Sequence, residues 1–520
     1  MKLLAFILLG CLSSAFASFG VTTSGTKMLV DSGGGLVTTI NTSNGDIISL
    51  DYNGKELQDS TKFTQLSSGL GSATVTSTVD NDIAVVTIET DTIKHYYIVR
   101  SGENTLYIGT YASAEPSVGE LRFIARLAKD ELPNGTPESE VNGGTAIEGS
   151  DVFELDGETR SKFYSSVRFI EDQVHGVTGD SVGAYVVIPG VGYETSSGGP
   201  FFRDIDNQGS AQQEVYFYMN SNHEQTESYR TGFFGPYALV ITSGSAPSGD
   251  LDMSFMEDLG LEDYVASSGR GTVSGTYSGT LSGVDVTIGF SNDDAQYWTS
   301  ASSGSFSRDS MKPGTYTATL YQGELAAGTG SVTVTAGKTT TLKLTSSLDV
   351  PDTIWNIGTV DGTPSGFLNA DLIEKCIRES DSRMSDWGPV TFTVGSSSDS
   401  DFPMAQFKDV NNPTTILWTA SSSEIGERTL RIRTTEAFAG GRPQITVNSW
   451  TSSAPSAPTA VDSRGVTRGT WRGLNQVYDY TIPAGTLTAS TNTITISIIS
   501  GSSGDDYLSP NVVFDSVELF

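Results

Sequence analysis

Histidine, cysteine and cationic side chains are all scarce in this chain of 520 residues. It holds three histidines, two cysteines, and 30 Lys plus Arg against 61 Asp plus Glu, for a formal net charge of −31. So acidic a surface repels nucleic acid and anionic membranes, which excludes both as partners. It also repels an acidic polysaccharide at long range, so a site for such a polymer must carry its own local cations. Salt screens the global field over about 8 to 10 Å, whereas buried pairs are screened far less. Clusters of Arg and Lys are therefore informative here. Beyond the first residues no run approaches the roughly 20 apolar residues that a membrane span needs, and persuasive amphipathic helices are few. Ala370 to Glu379 is the best of them and Asp252 to Gly260 a weaker one.

Met1-Lys2, the apolar run Leu3 to Leu12 and the small-residue site Ala15-Phe16-Ala17 read as a secretory signal peptide cut after Ala17. The expectation is a secreted, extracellular protein of net charge −32, since residues 1–17 contain Lys2 and no acid. Cys11 leaves with the signal. Cys376 then stands alone, which excludes an intramolecular disulfide and a thiol-rich metal site. The sequons at Asn41 and Asn134 suit a secreted glycoprotein, although Pro137 follows the second.

What is abundant is β texture. Val, Ile, Thr and Tyr alternate with polar residues between Gly, Ser, Asn and Asp, as in Ala73 to Val79, Ile83 to Thr90, Tyr96 to Val99, Tyr185 to Ile188, Val332 to Thr335 and Thr493 to Ile499. The Gly/Ser-rich string Ser267-Ser268-Gly269-Arg270-Gly271 marks a seam. The expected division is a large block over 18–264, a small fibronectin III-like or immunoglobulin-like sandwich over 265–348, and a jelly-roll block over 349–520. In the second block, Ser331 to Leu344 reads as a strand pair around Ala336-Gly337-Lys338. All six tryptophans fall after the first seam. Their flat faces suit sugar stacking, but burial in a core explains them as well.

Three segments of the first block hold chemical groups at suggestive spacing. Arg122 and Arg126, four apart, share one face of a strand, and a planar guanidinium matches a carboxylate bidentately. An exposed ion-pair strand is the alternative. In Glu158 to Arg168, strand alternation puts Arg160, Lys162 and Tyr164 on one side, so Lys162 has a cation beside it. Lysine is a poor base at its free pKa of about 10.4, and lowering that by three units takes about 4 kcal/mol of ammonium destabilisation in a partly desolvated cleft. A solvated edge lysine is the plain alternative. In the third segment Tyr216, Tyr218 and Asn220 share a face and lead into His223, within the dense polar run Tyr218 to Arg230. A histidine titrates near neutrality, which suits a proton donor or acceptor, though a solvated loop histidine would look the same.

The chain resembles fungal rhamnogalacturonan lyases of polysaccharide lyase family 4, of the B-like type. The matching strings are Ser68–Thr76 (SGLGSATVT), Ala114–Leu127 (AEPSVGELRFIARL), Gly144–Phe153 (GTAIEGSDVF), Glu158–Ser166 (ETRSKFYSS), Ser196–Phe201 (SSGGPF) and Met219–Arg230 (MNSNHEQTESYR). Ser380–Met384 (SDSRM) and Gly440–Gln444 (GGRPQ) match in the third block. The resemblance implies an all-β enzyme with a large galactose mutarotase-like β-sandwich catalytic domain, a fibronectin III-like domain and a jelly-roll carbohydrate-binding-like domain. It implies β-elimination on rhamnogalacturonan I, the substrate and expected partner, at the α-1,4 bond between rhamnose and galacturonate. By the same resemblance Lys162 is the base for the C5 proton and His223 the acid for the leaving O4. Arg122 and Arg126 hold the galacturonate carboxylate, with Tyr216, Tyr218 and Glu227 in the same cleft. Chemistry asks for such groups, because charge developing beside C5 must be stabilised.

The disulfide cysteines of the fungal members are absent, and Ile357–Gly362 lacks the acid and tryptophan expected before Asp361. His175 lies in a shared block without an assigned role, and His95 is taken as structural. A monomer requiring no cofactor is expected, so activity should survive chelation. A structural calcium at Gly504-Asp505-Asp506 is the open alternative. Two rival functions stand: a glycoside hydrolase using Glu148 with Asp151, and a non-catalytic wall-binding protein that needs neither Lys162 nor His223.

Overall fold

A computed structural model describes residues 18–520 except 117–119, 137–140, 222, 224–226, 372–386, 459–464, 473–474 and 506–507. The proposed signal, Cys376, the Ala370–Glu379 helix from residue 372 onward, the Ser380–Met384 string and Asp506 lie outside the described residues. Strands dominate. In the first block a seven-stranded, a five-stranded and a four-stranded sheet share one apolar core. The central strands of the seven-stranded sheet are buried on both faces. Along Ile93–Arg100, Tyr97 and Val99 enter that core, while Tyr96 and Ile98 meet Met253, Met256 and Leu261 of the following segment. Two covered faces explain the nearly continuous apolar run. The helix expected at Asp252 to Gly260 is a single 3-10 turn, Ser254–Asp258.

The four-stranded sheet carries two strands that matter most, β1 (Leu121–Leu127) and, further along the chain, Gln213–Asn220. Period-two alternation splits them cleanly. Leu121, Phe123, Ala125, Val215, Phe217 and Met219 face the core, while Ile124, Tyr216 and Tyr218 join Phe163 and Ile205 in a separate small cluster on the opposite face. Burying the first set takes six side chains out of water at roughly 1.5 to 3 kcal/mol for each large one, so the outward direction of Arg122 and Arg126 is determined by their neighbours.

The second block is a sandwich of a three-stranded and a four-stranded sheet around its own core. The strand pair read around Ala336-Gly337-Lys338 exists, as Leu325–Val334 and Thr339–Thr345, but is not a hairpin. The first strand pairs with Gly314–Gln322; the second crosses to the other sheet and runs parallel to Gly271–Ser278. Burial on both inner faces decides this, since a hairpin would leave one sheet without its edge strand. The third block packs two five-stranded sheets, and its last strand, Asn511–Leu519, is buried along its whole length. Trp355 and Trp418 are core residues there. Trp387, Trp450 and Trp471 pack against the same core, and Trp298 against that of the first block. No tryptophan among the described residues is an exposed stacking platform.

Polar contacts join the blocks. Buried Glu194 accepts from Arg270 Nη1 and Nη2 (2.6 and 3.0 Å) and from Tyr297 Oη (2.7 Å), with Lys312 Nζ at 3.4 Å. Glu324 of the second block accepts from Arg168 (2.9 Å) of the first and Trp471 Nε1 (3.1 Å) of the third.

Candidate active site

Three local devices bring the chemical groups together. The first is strand pairing: β1 runs antiparallel to Gln213–Asn220 with Arg122 opposite Tyr218 and Arg126 opposite Glu214. Arg122 Nη1 donates to Tyr218 Oη (2.7 Å) and lies 2.8 Å from Glu120 Oε2. Burial counts against its charge, but the hydroxyls and Glu120 outweigh it and raise its pKa. Its Nε has no acceptor among the described residues. Arg126 is held by Glu214 (2.9 Å) and the Phe63 carbonyl (3.0 Å), and Glu214 also accepts from Tyr216 Oη (2.6 Å).

The second device is a chain reversal. β2 (Glu158–Ser161) ends where the Ser161 hydroxyl accepts from the Phe163 N–H at 3.1 Å, and Lys162–Ser165 is a 3-10 turn. Lys162 is therefore not in the strand, and alternation does not set its neighbours. It meets Asp151: its N–H donates to the Asp151 carbonyl (2.9 Å), and Nζ lies 3.9 Å from Oδ1. The ion-pair partner that the structure gives Lys162 is this carboxylate.

The third device positions His223. After Asn220 the chain turns, with the His223 N–H on Ser221 Oγ (2.9 Å), and the ring is 9 % exposed, not solvated. It packs edge-on to Phe163 (5.3 Å) and near Tyr218 (5.7 Å). Nδ1 contacts Asp204 Oδ1 and Oδ2 at 3.2 and 3.3 Å, while Nε2 faces Asp151 Oδ2 at 3.6 Å and Glu120 Oε1 at 3.8 Å. Burial works against the imidazolium, yet Asp204 and Asp151 outweigh it and raise the pKa; Arg468 opposes them. One carboxylate, Asp151, thus lies between Lys162 and His223.

The third block closes the site. Arg468 donates to Glu148 Oε1 from Nε and Nη2 (3.1 and 2.8 Å), Thr467 Oγ1 donates to Oε2 (2.9 Å), and the Arg468 guanidinium stands 5.6 Å from the Phe163 ring centre. A pocket beside His223 is walled by Phe163, Phe201, Arg203, Arg468 and Arg472. Each of these arginines is held by the protein: Arg203 donates to the Gly469 carbonyl (3.3 Å), Arg472 to the Gly198 carbonyl (3.0 Å) and Arg468 to Glu148.

Of the residues expected from sequence, Arg122, Tyr218, Lys162 and His223 are joined by direct contacts or through Glu120 and Asp151. Arg126 and Tyr216 meet on Glu214, further along the same face. Glu227 contacts Arg230 (3.0 Å), which also donates to the Ser196 carbonyl. His175 is internal: Nδ1 contacts Asp172 (2.7 Å) and Nε2 donates to the Tyr216 carbonyl (2.5 Å). It buttresses the tyrosine strand from behind. His95 is buried against Thr110 (2.8 Å). Sequence reasoning missed Glu120, Asp204 and Arg468. Glu120 alone had a signal, two residues before Arg122 on the same side of the chain.

Asn134 is exposed, and Asn41 closes a strand with its Oδ1 accepting from Ser43. Among the described residues, one group of carboxylates and histidine has metal-ligand proximity, Asp172, His175 and Asp206. In this structure Nδ1 of His175 is engaged by Asp172 and Nε2 by the Tyr216 carbonyl.

Comparison with known proteins covers nearly the whole chain. Residues 19–263 match the family described as rhamnogalacturonan lyase B, N-terminal; residues 269–342 match polysaccharide lyase family 4, domain II; and residues 353–519 match domain III. The chain is 55 % identical over 513 residues to rhamnogalacturonate lyase A of Aspergillus aculeatus, covering 97 % of each. It is 53 % identical to rhamnogalacturonate lyase A of Emericella nidulans and to a probable rhamnogalacturonate lyase A of Aspergillus flavus, again over 97 % of each chain.

Proposed function

The chain belongs to polysaccharide lyase family 4, and from that premise we propose that it cleaves rhamnogalacturonan I at the α-1,4 bond between rhamnose and galacturonate by β-elimination. The observation that carries the mechanism is the shared carboxylate: Lys162 Nζ and His223 Nε2 approach the two oxygens of Asp151 at 3.9 and 3.6 Å, on the face that presents Arg122. Lys162, as the neutral amine, takes the galacturonate C5 proton on Nζ. The released electron pair forms the C4–C5 double bond as the C4–O4 bond breaks, and Nε2–H of His223 passes to O4. Arg122, whose side chain is 22 % exposed on that face, neutralises the carboxylate beside C5, where charge develops in the transition state. Arg126, Tyr216 and Tyr218 complete the binding face, while Glu227 is held by Arg230 away from it.

Glycoside hydrolysis is disfavoured by the state of its carboxylates. Glu148 is committed to Arg468 and Thr467, so it is not available as partner to Asp151. A secreted monomer, glycosylated at Asn41 and Asn134 and active without a cofactor, completes the proposal. The deciding experiment follows ultraviolet absorbance during incubation with de-esterified rhamnogalacturonan I and with homogalacturonan, for wild type, Lys162→Ala and His223→Ala. Absorbance from the new double bond on rhamnogalacturonan I only, lost in both variants with folding intact, is expected. New reducing ends of hydrated mass without absorbance would instead mean hydrolysis. Binding without either signal would mean a wall-binding protein.

A further inference from the structure

An imidazole that delivers a proton from Nε2 must hold a hydrogen on Nδ1 throughout, and something must keep the ring from turning over. At His223 the group in that place is Asp204. It lies on the short strand β3 (Arg203–Asp204), which pairs with Val167–Arg168, so the segment directly after the Lys162 turn sets its position. Ser165 Oγ locks the two together by accepting from the Asp206 and Asn207 N–H groups at 3.2 and 3.0 Å. Asp204 is 2 % exposed, its Oδ1 also accepts from the Ile205 N–H (2.7 Å), and among the described residues its one ion-pair partner is His223. A carboxylate this buried with a single cationic partner strongly favours the partner's charged form.

We propose that Asp204 is the positioning residue of the acid: by accepting from Nδ1 it fixes the ring with Nε2 toward the cleft and holds His223 as the proton-bearing imidazolium. The proposal rests on His223 acting as the acid. In the elimination, Nε2–H goes to the departing O4, the Nδ1 hydrogen stays where it is, and Asp204 remains ionised and moves no proton. Every charged group that faces the ring enters the balance. Asp204 lies at Nδ1, Asp151 and Glu120 at Nε2, and Arg468 across Phe163, with Lys162 beyond Asp151 and with Arg203 and Arg472 in the wall of the pocket beside the ring. Asp151 and Glu120, at 3.6 and 3.8 Å, lie beyond hydrogen-bond distance of Nε2 and favour a proton there through charge alone. Asp204 is the hydrogen-bonded acceptor at Nδ1, and so keeps the remaining hydrogen on that nitrogen once Nε2 has given up its own.

The test is Asp204→Asn, near-isosteric and uncharged, read by three measurements on the full chain. The kcat on rhamnogalacturonan I should fall by about 100-fold or more, the scale of general acid catalysis, with KM little changed. The alkaline limb of the kcat profile should move to lower pH. Nitrogen chemical shifts of the histidines, only three in number, should show the His223 midpoint falling with it and a mixture of neutral tautomers. Wild-type kcat, alkaline limb and tautomer in a folded Asp204→Asn would overturn the proposal. Should that variant not fold, Asp204→Glu, which keeps the charge and displaces it, serves instead: a His223 midpoint near the wild-type value with reduced kcat supports positioning, and unchanged kcat overturns it. In a His223→Gln background Asp204→Asn should cost no further activity. If His223→Gln is itself active, the reading of His223 fails and the proposal with it; if His223→Gln is inactive while Asp204→Asn matches wild type, the proposal alone fails.

Discussion

Replacing Glu194 by glutamine removes one charge from the seam between the first two blocks and leaves the volume unchanged. The carboxylate is 1 % exposed and receives Arg270 through two N–H groups, Tyr297 through its hydroxyl, and Lys312 at 3.4 Å. Glutamine leaves Arg270 and Lys312, both largely buried, without an anion, and its amide must point one N–H pair at other donors. Stranding one partner of a buried pair costs about 3 to 5 kcal/mol, so a loss of that size at pH 7 is expected. The pH dependence follows from the pKa of Glu194. Burial pushes it up, but Lys312, Arg270 and Tyr297 outweigh burial and the net direction is down. A folded-state pKa below the unfolded one gives stability that is present above about pH 4.5 and lost as pH falls through the folded value. The gap between wild type and variant should therefore close in acid. Calorimetry together with hydrogen exchange over residues 190–200 and 265–312 measures both the size and the location of the loss. The double replacement Glu194→Leu with Arg270→Met should recover most of it. A loss under about 1 kcal/mol at pH 7, or a gap that persists undiminished in acid, would refute the assignment of Glu194 as the buried anion of this seam.

Burial raises Asp515 to about 7, against the opposing Asp361 and Gly362 N–H groups. Stability is therefore lost as pH rises from the unfolded value of 3.8 to about 7, and the full loss, up to about 4 kcal/mol, persists above that. Asp515→Asn, which keeps the Oδ1 acceptor, should raise the melting temperature at pH 8 and not at pH 4; equal effects at both would contradict this. His175, where burial is outweighed by Asp172 and Asp206, is raised to about 9. Its stabilisation of up to about 3 kcal/mol is complete below pH 6.5 and lost as pH rises through 9, so His175→Gln should destabilise at pH 6 and much less at pH 10. Arg468→Leu removes two charge-assisted bonds from Glu148 and one wall of the cleft, and a fall in kcat/KM of about tenfold or more is expected, tenfold being 1.4 kcal/mol. Activity on rhamnogalacturonan I should withstand a chelator; loss restored by calcium would overturn the cofactor-free proposal.

The binding face was legible because it obeys a period of two. Leu121, Phe123 and Ala125 must go inward, so Arg122 and Arg126 must go outward, and the same logic sorts Tyr216 and Tyr218 from Phe217. The tryptophans followed burial, as large apolar rings in a sandwich core do. Where pattern failed, a local bond or a distant partner had decided. The Ser161 side chain turns the chain before Lys162, which no alternation shows. The polar run around His223 suggests a solvated loop, yet its ring is buried because Asp204, 19 positions earlier, compensates its charge. The crossing between Leu325–Val334 and Thr339–Thr345 depends on which sheet lacks an edge, a property of the whole block.

Glu148 and the Arg468 that holds it are 320 positions apart. Synthesis at about 10 residues per second separates them by on the order of half a minute, during which the first block can already fold. Once the first block is complete, its Lys162 turn and Asp204–His223 contact can form while the groove still lacks its far wall. A transcript cut short after the second block would leave the same half-built product, able to pack its cores and unable to close on a polymer. Completion of the groove thus reports that the ribosome has reached the last third of the message.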